Sequence, residues 1–148
     1  MLTWKFLPFD QLQLHDLYRI LQLRSEVFVL EQVCIYQDMD DKDQMSFHLS
    51  GWLGNTLVAY ARILPPGISC NHPSIGRVIT HPSYRGHGYG KELMQLAIRH
   101  TRQSFNSSII QIGAQQYLAK FYSSLGFLPV SEPYLEDGIP HILMRLGD

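Results

Sequence analysis

The stretch that most constrains the fold is Ile75 to Gln95, where a β-branched run, a glycine-rich turn and a helical pattern follow one another without a break. Ile75, Val78 and Ile79 read as a short strand. Arg85-Gly86-His87-Gly88-Tyr89-Gly90 is a turn with one fixed cation and a glycine at every second position. From Tyr89 onward, Leu93, Leu96, Ala97 and His100 share one helical face, and Lys91, Glu92, Gln95, Arg99 and Arg102 share the outer one. A strand that feeds a helix through such a turn aims successive backbone N–H groups and the positive helix end at one point, which suits a phosphate or pyrophosphate. The glycines admit positive φ and a close backbone approach that side chains would block.

The turn is neither of two familiar phosphate loops. A G-x-x-x-x-G-K-[ST] loop would need Ser or Thr after Lys91, where Glu92 stands, and the position five before Gly90 is Arg85. A G-x-G-x-x-G fingerprint does not fit the G-x-G-x-G spacing of Gly86, Gly88 and Gly90. What Arg85 to Gly90 does resemble is R/Q-x-x-G-x-G/A, the coenzyme A pyrophosphate loop of the GNAT superfamily of N-acetyltransferases.

The 148 residues suit one domain, 1–148, with its own core. With 45% apolar and 17% charged residues the chain reads as globular rather than disordered. A formal net charge of −1 offers no basic field for nucleic acid or an anionic membrane. No apolar run reaches spanning length, and Met1-Leu2-Thr3-Trp4-Lys5 lacks a signal-peptide pattern. Cys34 and Cys70 form neither a C-x-x-C nor a metal-ligand spacing, and no H-x-H or H-E-x-x-H occurs, so no metal is expected. The expected compartment is the reducing cytoplasm. A homodimer is compatible with all of this.

Trp4 to Phe9 reads as an edge strand ended by Pro8. Asp10 and Gln13 suggest a helix cap and capping box. Leu14, Leu17, Tyr18, Leu21 and, after an offset, Val27 and Phe28 make an apolar stripe expected to face the core. The segment Asp38-Met39-Asp40-Asp41-Lys42-Asp43 is acidic and fails the EF-hand pattern. A solvated loop is its plainer reading, and a loop attracting a cationic amine is its functional one. Met45–Leu53 and Leu57–Leu64 form a hairpin at Gly54-Asn55. Ile109–Gly113 reads as a buried strand, which with the preceding helix implies a parallel strand pair. A second helix, Gln115 to Leu125, closes at Gly126. Phe127–Val130 and Ile139–Leu146 read as a final hairpin.

The segment Ala119-Lys120-Phe121-Tyr122-Ser123-Ser124-Leu125-Gly126-Phe127 resembles the F-Y-x-x-x-G-F segment that GNAT enzymes carry after the next strand. Two separate motifs in the right order make the resemblance specific, and the element order extends it over the whole chain. Arg24, Val27 and Phe28, then Glu31-Gln32-x-Cys34-x-Tyr36-x-Asp38-x-Asp40, His48 and Gly138-Ile139-Pro140-His141 resemble the ElaA-type branch of that superfamily. The resemblance implies an α/β fold with a mixed, mostly antiparallel sheet splayed at a central parallel pair and flanked by helices. It implies transfer of an acetyl group from acetyl-CoA to an amine of a small molecule or protein, by direct attack.

The family pattern places backbone N–H groups of Gly86, His87, Gly88, Tyr89 and Gly90 on the diphosphate, with Arg85 adding charge-assisted contact. It lays the pantetheine arm beside the strand, against main chain of Val78 and Thr80. It makes Tyr122 the donor of a proton to the departing sulfur, the alternative being a tyrosine that only packs. Many GNAT proteins carry an Asn where Gln115 and Gln116 stand here, so that contact differs. The general base stays open among Glu31, Asp38, Asp40, His48, His141 and water. Cys34 as an acyl carrier runs against direct transfer. Two rival readings are a non-catalytic acyl-CoA sensor and an acyl-homoserine-lactone-synthase-like enzyme.

Overall fold

The computed structural model describes residues 1–147. Strand β1 (Thr3–Pro8) leads to helix α1 (Leu14–Arg24), which runs on into a π-helical stretch, Ser25–Glu31. After an irregular segment come β2 (Phe47–Leu53), β3 (Thr56–Leu64) and β4 (Ser74–Thr80). Helix α2 (Tyr89–Phe105), β5 (Ile110–Gln115), α3 (Ala119–Ser124), β6 (Leu128–Pro129), β7 (Tyr134–Glu136) and β8 (Ile139–Leu146) complete the chain.

The strands form two sheets of four, β1-β2-β3-β4 and β5-β8-β6 with β7 also on β8, and every ladder is antiparallel. Residues Leu57 to Leu64 are all buried, as expected for a strand covered on both faces. On one face α2 contributes Leu93, Met94 and Ala97 to a core with Leu49, Val58, Ile63, Ile112, Phe127 and Met144. On the other, Ile20, Leu23 and Val27 pack against Trp52, Leu57, Tyr60 and Ile79.

Several sequence expectations shift. The expected parallel pair, β4 and β5, lie side by side without a ladder; the Gln111 N–H donates to the Pro73 carbonyl at 3.1 Å, and beyond that point the strands part. Asp10 sits in a short 3₁₀ turn, and Gln13 precedes the helix without capping it through its side chain. The apolar stripe is right only at its end, where Val27 is buried and Phe28 packs beside it. Within α1, Leu14 is 86% and Tyr18 67% exposed, whereas Ile20, Leu23 and a fully buried Arg24 face inward. The helix turns an arginine to the core, so its buried face is rotated from the one that hydropathy marks. The second C-terminal helix is shorter than expected, with Gln116–Leu118 as a 3₁₀ turn before it. The final hairpin pairs β8 with β7 through Asp137-Gly138, and β6 joins the same strand.

Candidate active site

Where β4 and β5 part, a cleft of about 1300 Å³ opens between the two sheets. One wall is β4. Its register with β3 slips between Tyr60 and Arg62, so Arg77 and Val78 together oppose Ala61. Arg77 takes a φ of +49° to make this bulge, a conformation that costs a non-glycine residue on the order of 1–3 kcal/mol. Such bulges re-aim side chains and interrupt pairing, and they recur beside functional sites. Val78 and Thr80 both line the cleft.

At the end of β4 the chain makes a 3₁₀ turn, Pro82–Tyr84, in which His81 Nδ1 accepts from the Ser83 N–H. The glycine loop follows. Gly86 and Gly88 have φ of +85° and +80°, and Gly88 is the residue before the first turn of α2. No atom lies within 4 Å of a Cβ built on either, so both glycines are required by backbone conformation and not by crowding. Arg85, Gly86, Gly88, Tyr89 and Gly90 line the cleft; His87 is exposed outside it. Gly88→Val should therefore fold with a cost of about 1–2 kcal/mol for the left-handed φ, yet place its side chain in the space in front of α2. On the coenzyme A reading of this loop, titration calorimetry should show coenzyme A affinity falling tenfold or more, and unchanged affinity in the folded variant would overturn that reading.

Arg85 is not a free cation. Its Nη1 and Nη2 donate to Glu31 Oε2 and Oε1 at 2.6 and 2.8 Å, and its Nε donates to the Thr80 carbonyl at 3.2 Å. This bidentate bond lowers the Glu31 carboxyl below its ordinary range. The π-helical stretch that ends in Glu31 is thus clipped to the glycine loop. One residue on, Gln32 and Gln115 exchange amide hydrogen bonds of 3.1 and 3.3 Å. Of the two glutamines, Gln115 lines the cleft and Gln116 does not.

Tyr122 stands on α3, whose end is fixed by a left-handed Gly126 and by bonds from Gly126 N–H to the Ser123 carbonyl and from Phe127 N–H to the Tyr122 carbonyl. Gly126 has a φ of +101°, which side chains resist, whereas a Cβ there would meet only the flexible end of Leu146, Cδ1 at 2.9 Å. The Tyr122 ring packs edge-on to Phe121 and Phe127 and is 6% exposed, with its residue on the cleft wall. Burial pushes the phenol up to about 12.

The acidic segment is not a solvated loop. Asp38, Asp43 and Asp40 alternate with Arg24, Arg62 and Arg77 in a closed ring of ion pairs. Arg24 Nε donates to Asp38 at 2.8 Å and its Nη1 to Asp43 at 2.7 Å. Arg62 Nη1 donates to Asp43 at 2.9 Å and to Asp40 at 2.7 Å. Arg77 Nε donates to Asp38 at 2.7 Å, and its Nη2 reaches Asp40 at 3.4 Å. The charges cancel within the ring, so it offers no field for a cationic amine. His48 lies beneath it, away from the cleft. Its Nε2 donates to the Asp43 carbonyl at 2.9 Å, so its Nδ1 accepts from the Tyr60 hydroxyl at 2.6 Å. Burial lowers its basicity. Neither ring nitrogen of His48 is available to a substrate.

Sequence reasoning missed Arg62 and Arg77. The available signal was a cation inside each of two apolar strands, a costly placement unless paired. It also passed over Tyr134, Glu136 and Asp137, which line the far side of the cleft with His141.

Residues 17–147 match the family model described as the acetyltransferase (GNAT) domain. The chain is 43% identical to the ElaA protein of Escherichia coli K12 over 97% of its own length and 95% of that protein. It superposes on the Escherichia coli ElaA crystal structure with a TM-score of 0.93, at 42% identity and covering 99% of both chains. An acyl-CoA N-acyltransferase from Pseudomonas aeruginosa gives a TM-score of 0.95 at 40% identity, covering 99% of this chain and 100% of that one. A putative acetyltransferase from Salmonella typhimurium, solved with acetyl-CoA, shares the fold at 19% identity, with a TM-score of 0.73 over 99% of this chain and 94% of that one. Loop, splayed strands and helix ends thus stand in a known order, and the chain belongs to the GNAT acetyltransferase family.

Proposed function

We propose that this acyltransferase moves an acetyl group from acetyl-CoA to a primary amine of a small molecule or protein, by direct attack while both are bound. The observation that carries the reading is the cleft itself: a left-handed glycine loop at a helix start, an open β4 edge and Tyr122 all border one space. Gly86, His87, Gly88, Tyr89 and Gly90 would give backbone N–H groups to the diphosphate, and Arg85 would add charge on exchanging Glu31 for phosphate. The main chain of Val78 and Thr80 would pair with the pantetheine amides as an added strand would. Tyr122 would give its proton to the sulfur as the thioester breaks. The Salmonella neighbour's bound acetyl-CoA supports this choice of donor.

Thermal unfolding with four ligands tests the donor. At about one hundred times its dissociation constant, acetyl-CoA or coenzyme A should add about 2.7 kcal/mol of stability. NAD and ATP should add far less. Equal shifts from ATP and coenzyme A would defeat the assignment. A non-catalytic acyl-CoA sensor would bind in the same way, but Tyr122→Phe would then leave acetyl-CoA consumption unchanged.

A further inference from the structure

We infer that His141 is the proton acceptor for the incoming ammonium group, with Glu136 positioned to stabilise the imidazolium that results. The inference rests on the acetyl-transfer reading and assigns the step which that reading leaves without a residue.

The other ionisable candidates are occupied. Both Glu31 oxygens accept from Arg85. Asp38 and Asp40 accept from arginines within the ion-pair ring. Both nitrogens of His48 are bonded below the cleft. His141 differs from all of these. Its Nδ1 lies 2.7 Å from the Ile139 carbonyl, which can only accept. The proton of the neutral ring is therefore on Nδ1, and the Nε2 lone pair carries no hydrogen-bond partner among the described residues. Glu136 Oε2 is 3.6 Å from Nε2, too long for a hydrogen bond, so it leaves the lone pair free.

The elements around His141 hold it in this attitude. It pairs with Gln115 on β5 and with Tyr134 on β7, and the Tyr134 ring stacks on it at 5.9 Å. The ionisable groups that face it are Tyr134 and Glu136 from β7 and Asp137 from the following turn, whose carbonyl accepts from the Cys34 thiol. His141 is 7% exposed and lines the cleft together with Val78 and Tyr122.

The proton count closes. The acceptor ammonium gives one proton to Nε2, and this proton later passes to solvent. The freed lone pair forms the N–C bond and the C–S bond breaks, the sulfur taking a proton from Tyr122. The nitrogen's second proton, lost as the amide forms, returns the phenol to its protonated state through water. The net products are an amide, a thiol and one proton.

Two measurements decide the matter. Nitrogen-15 spectra of histidine-labelled protein should show neutral His141 with its proton on Nδ1. A proton on Nε2 overturns the inference, and this test needs no acceptor. Acetyl transfer to spermidine, lysine and a peptide with a free N-terminus supplies the second test. His141→Asn keeps an amide donor for the Ile139 carbonyl but has no base. Its rate at neutral pH should fall by roughly 10²–10⁴-fold, and the deficit should shrink as rising pH supplies free amine. Glu136→Gln should lower the rate by a smaller factor than His141→Asn, because the carboxylate 3.6 Å from Nε2 no longer faces the ring as it takes the proton. Acetyl-CoA affinity should be the same in all three proteins. A deficit independent of pH, or none, would reduce His141 to a structural residue and leave acetyl transfer standing. Failure of all three to bind acetyl-CoA would instead remove the acetyl-transfer reading.

Discussion

Tyr122→Phe should lower acetyl transfer by about 10²–10⁴-fold, the scale for a lost general acid. The substitution keeps the ring, and the ring is what packs against Phe121 and Phe127. With that packing kept, folding stability should change little. Donor affinity should also change little, since proton transfer to sulfur belongs to the transition state and not to the bound ground state. The effect should therefore fall on kcat with KM for acetyl-CoA nearly constant. The phenol, pushed up to about 12 by burial, stays protonated throughout the ordinary assay range. A wild-type alkaline limb that belongs to it would lie above pH 10 and would be absent from the variant. Wild-type kcat in a folded Tyr122→Phe protein would leave the thiolate's proton donor unidentified and return this tyrosine to a packing role.

The parts of the site that were legible in the sequence are those where backbone conformation restricts residue type. Gly86 and Gly88 occupy left-handed φ, Gly126 ends a helix in the same conformation, and Tyr122 stands at a fixed distance before it. Glycine spacing records such requirements directly. The α1 face was illegible because hydropathy assumes that charges face water. Arg24 breaks that assumption, and the leucine and tyrosine left outside, Leu14 and Tyr18, gave a false stripe. The acidic segment misled for the same reason. A run of aspartates reads as solvated until the arginines that neutralise it are seen, and Arg62 and Arg77 lie on strands far along the chain. The loss of a β4–β5 ladder depends on where two sheets diverge, which no local pattern encodes. His141 was legible only as one candidate among several. What separates it is the partner of each ring nitrogen, and that is a property of the fold.

Arg24→Met should destabilise the fold by about 3–5 kcal/mol, the cost of leaving buried carboxylates without their partner. For a domain of this size that corresponds to a fall of roughly 6–20 °C in Tm. Arg24 is fully buried and bridges Asp38 to Asp43, both themselves buried. Methionine fills much of the volume but leaves each aspartate with one fewer donor. Burial raises the carboxyls of Asp43 and Asp40, but the guanidinium bonds and charges outweigh it and hold both below the ordinary range. A carboxyl lower in the folded state than in the unfolded one contributes stability above its unfolded value, near 4, that is lost as pH falls through the folded value. Wild-type stability should therefore decline in acid. In Arg24→Met this decline should be shallower, since Arg24 is one of the two cations that depress Asp43. Denaturant unfolding between pH 3 and pH 7, scales set by ordinary carboxyl titration, measures both. A loss below about 1 kcal/mol, within the range of exposed pairs, would mean that the ring contributes little to folding. The ring also has a position that matters to the cleft. Its Arg77 is the residue held at left-handed φ in the β4 bulge, with Nη2 donating to the Asp38 backbone carbonyl at 2.8 Å and Nε to the Asp38 carboxylate at 2.7 Å. Arg24 and Arg77 share that one carboxylate, so a weakened ring should loosen the bulge beside Val78 before it unfolds the domain. Backbone amide exchange at Val78 should accelerate in Arg24→Met by more than at Leu93, in the core of α2.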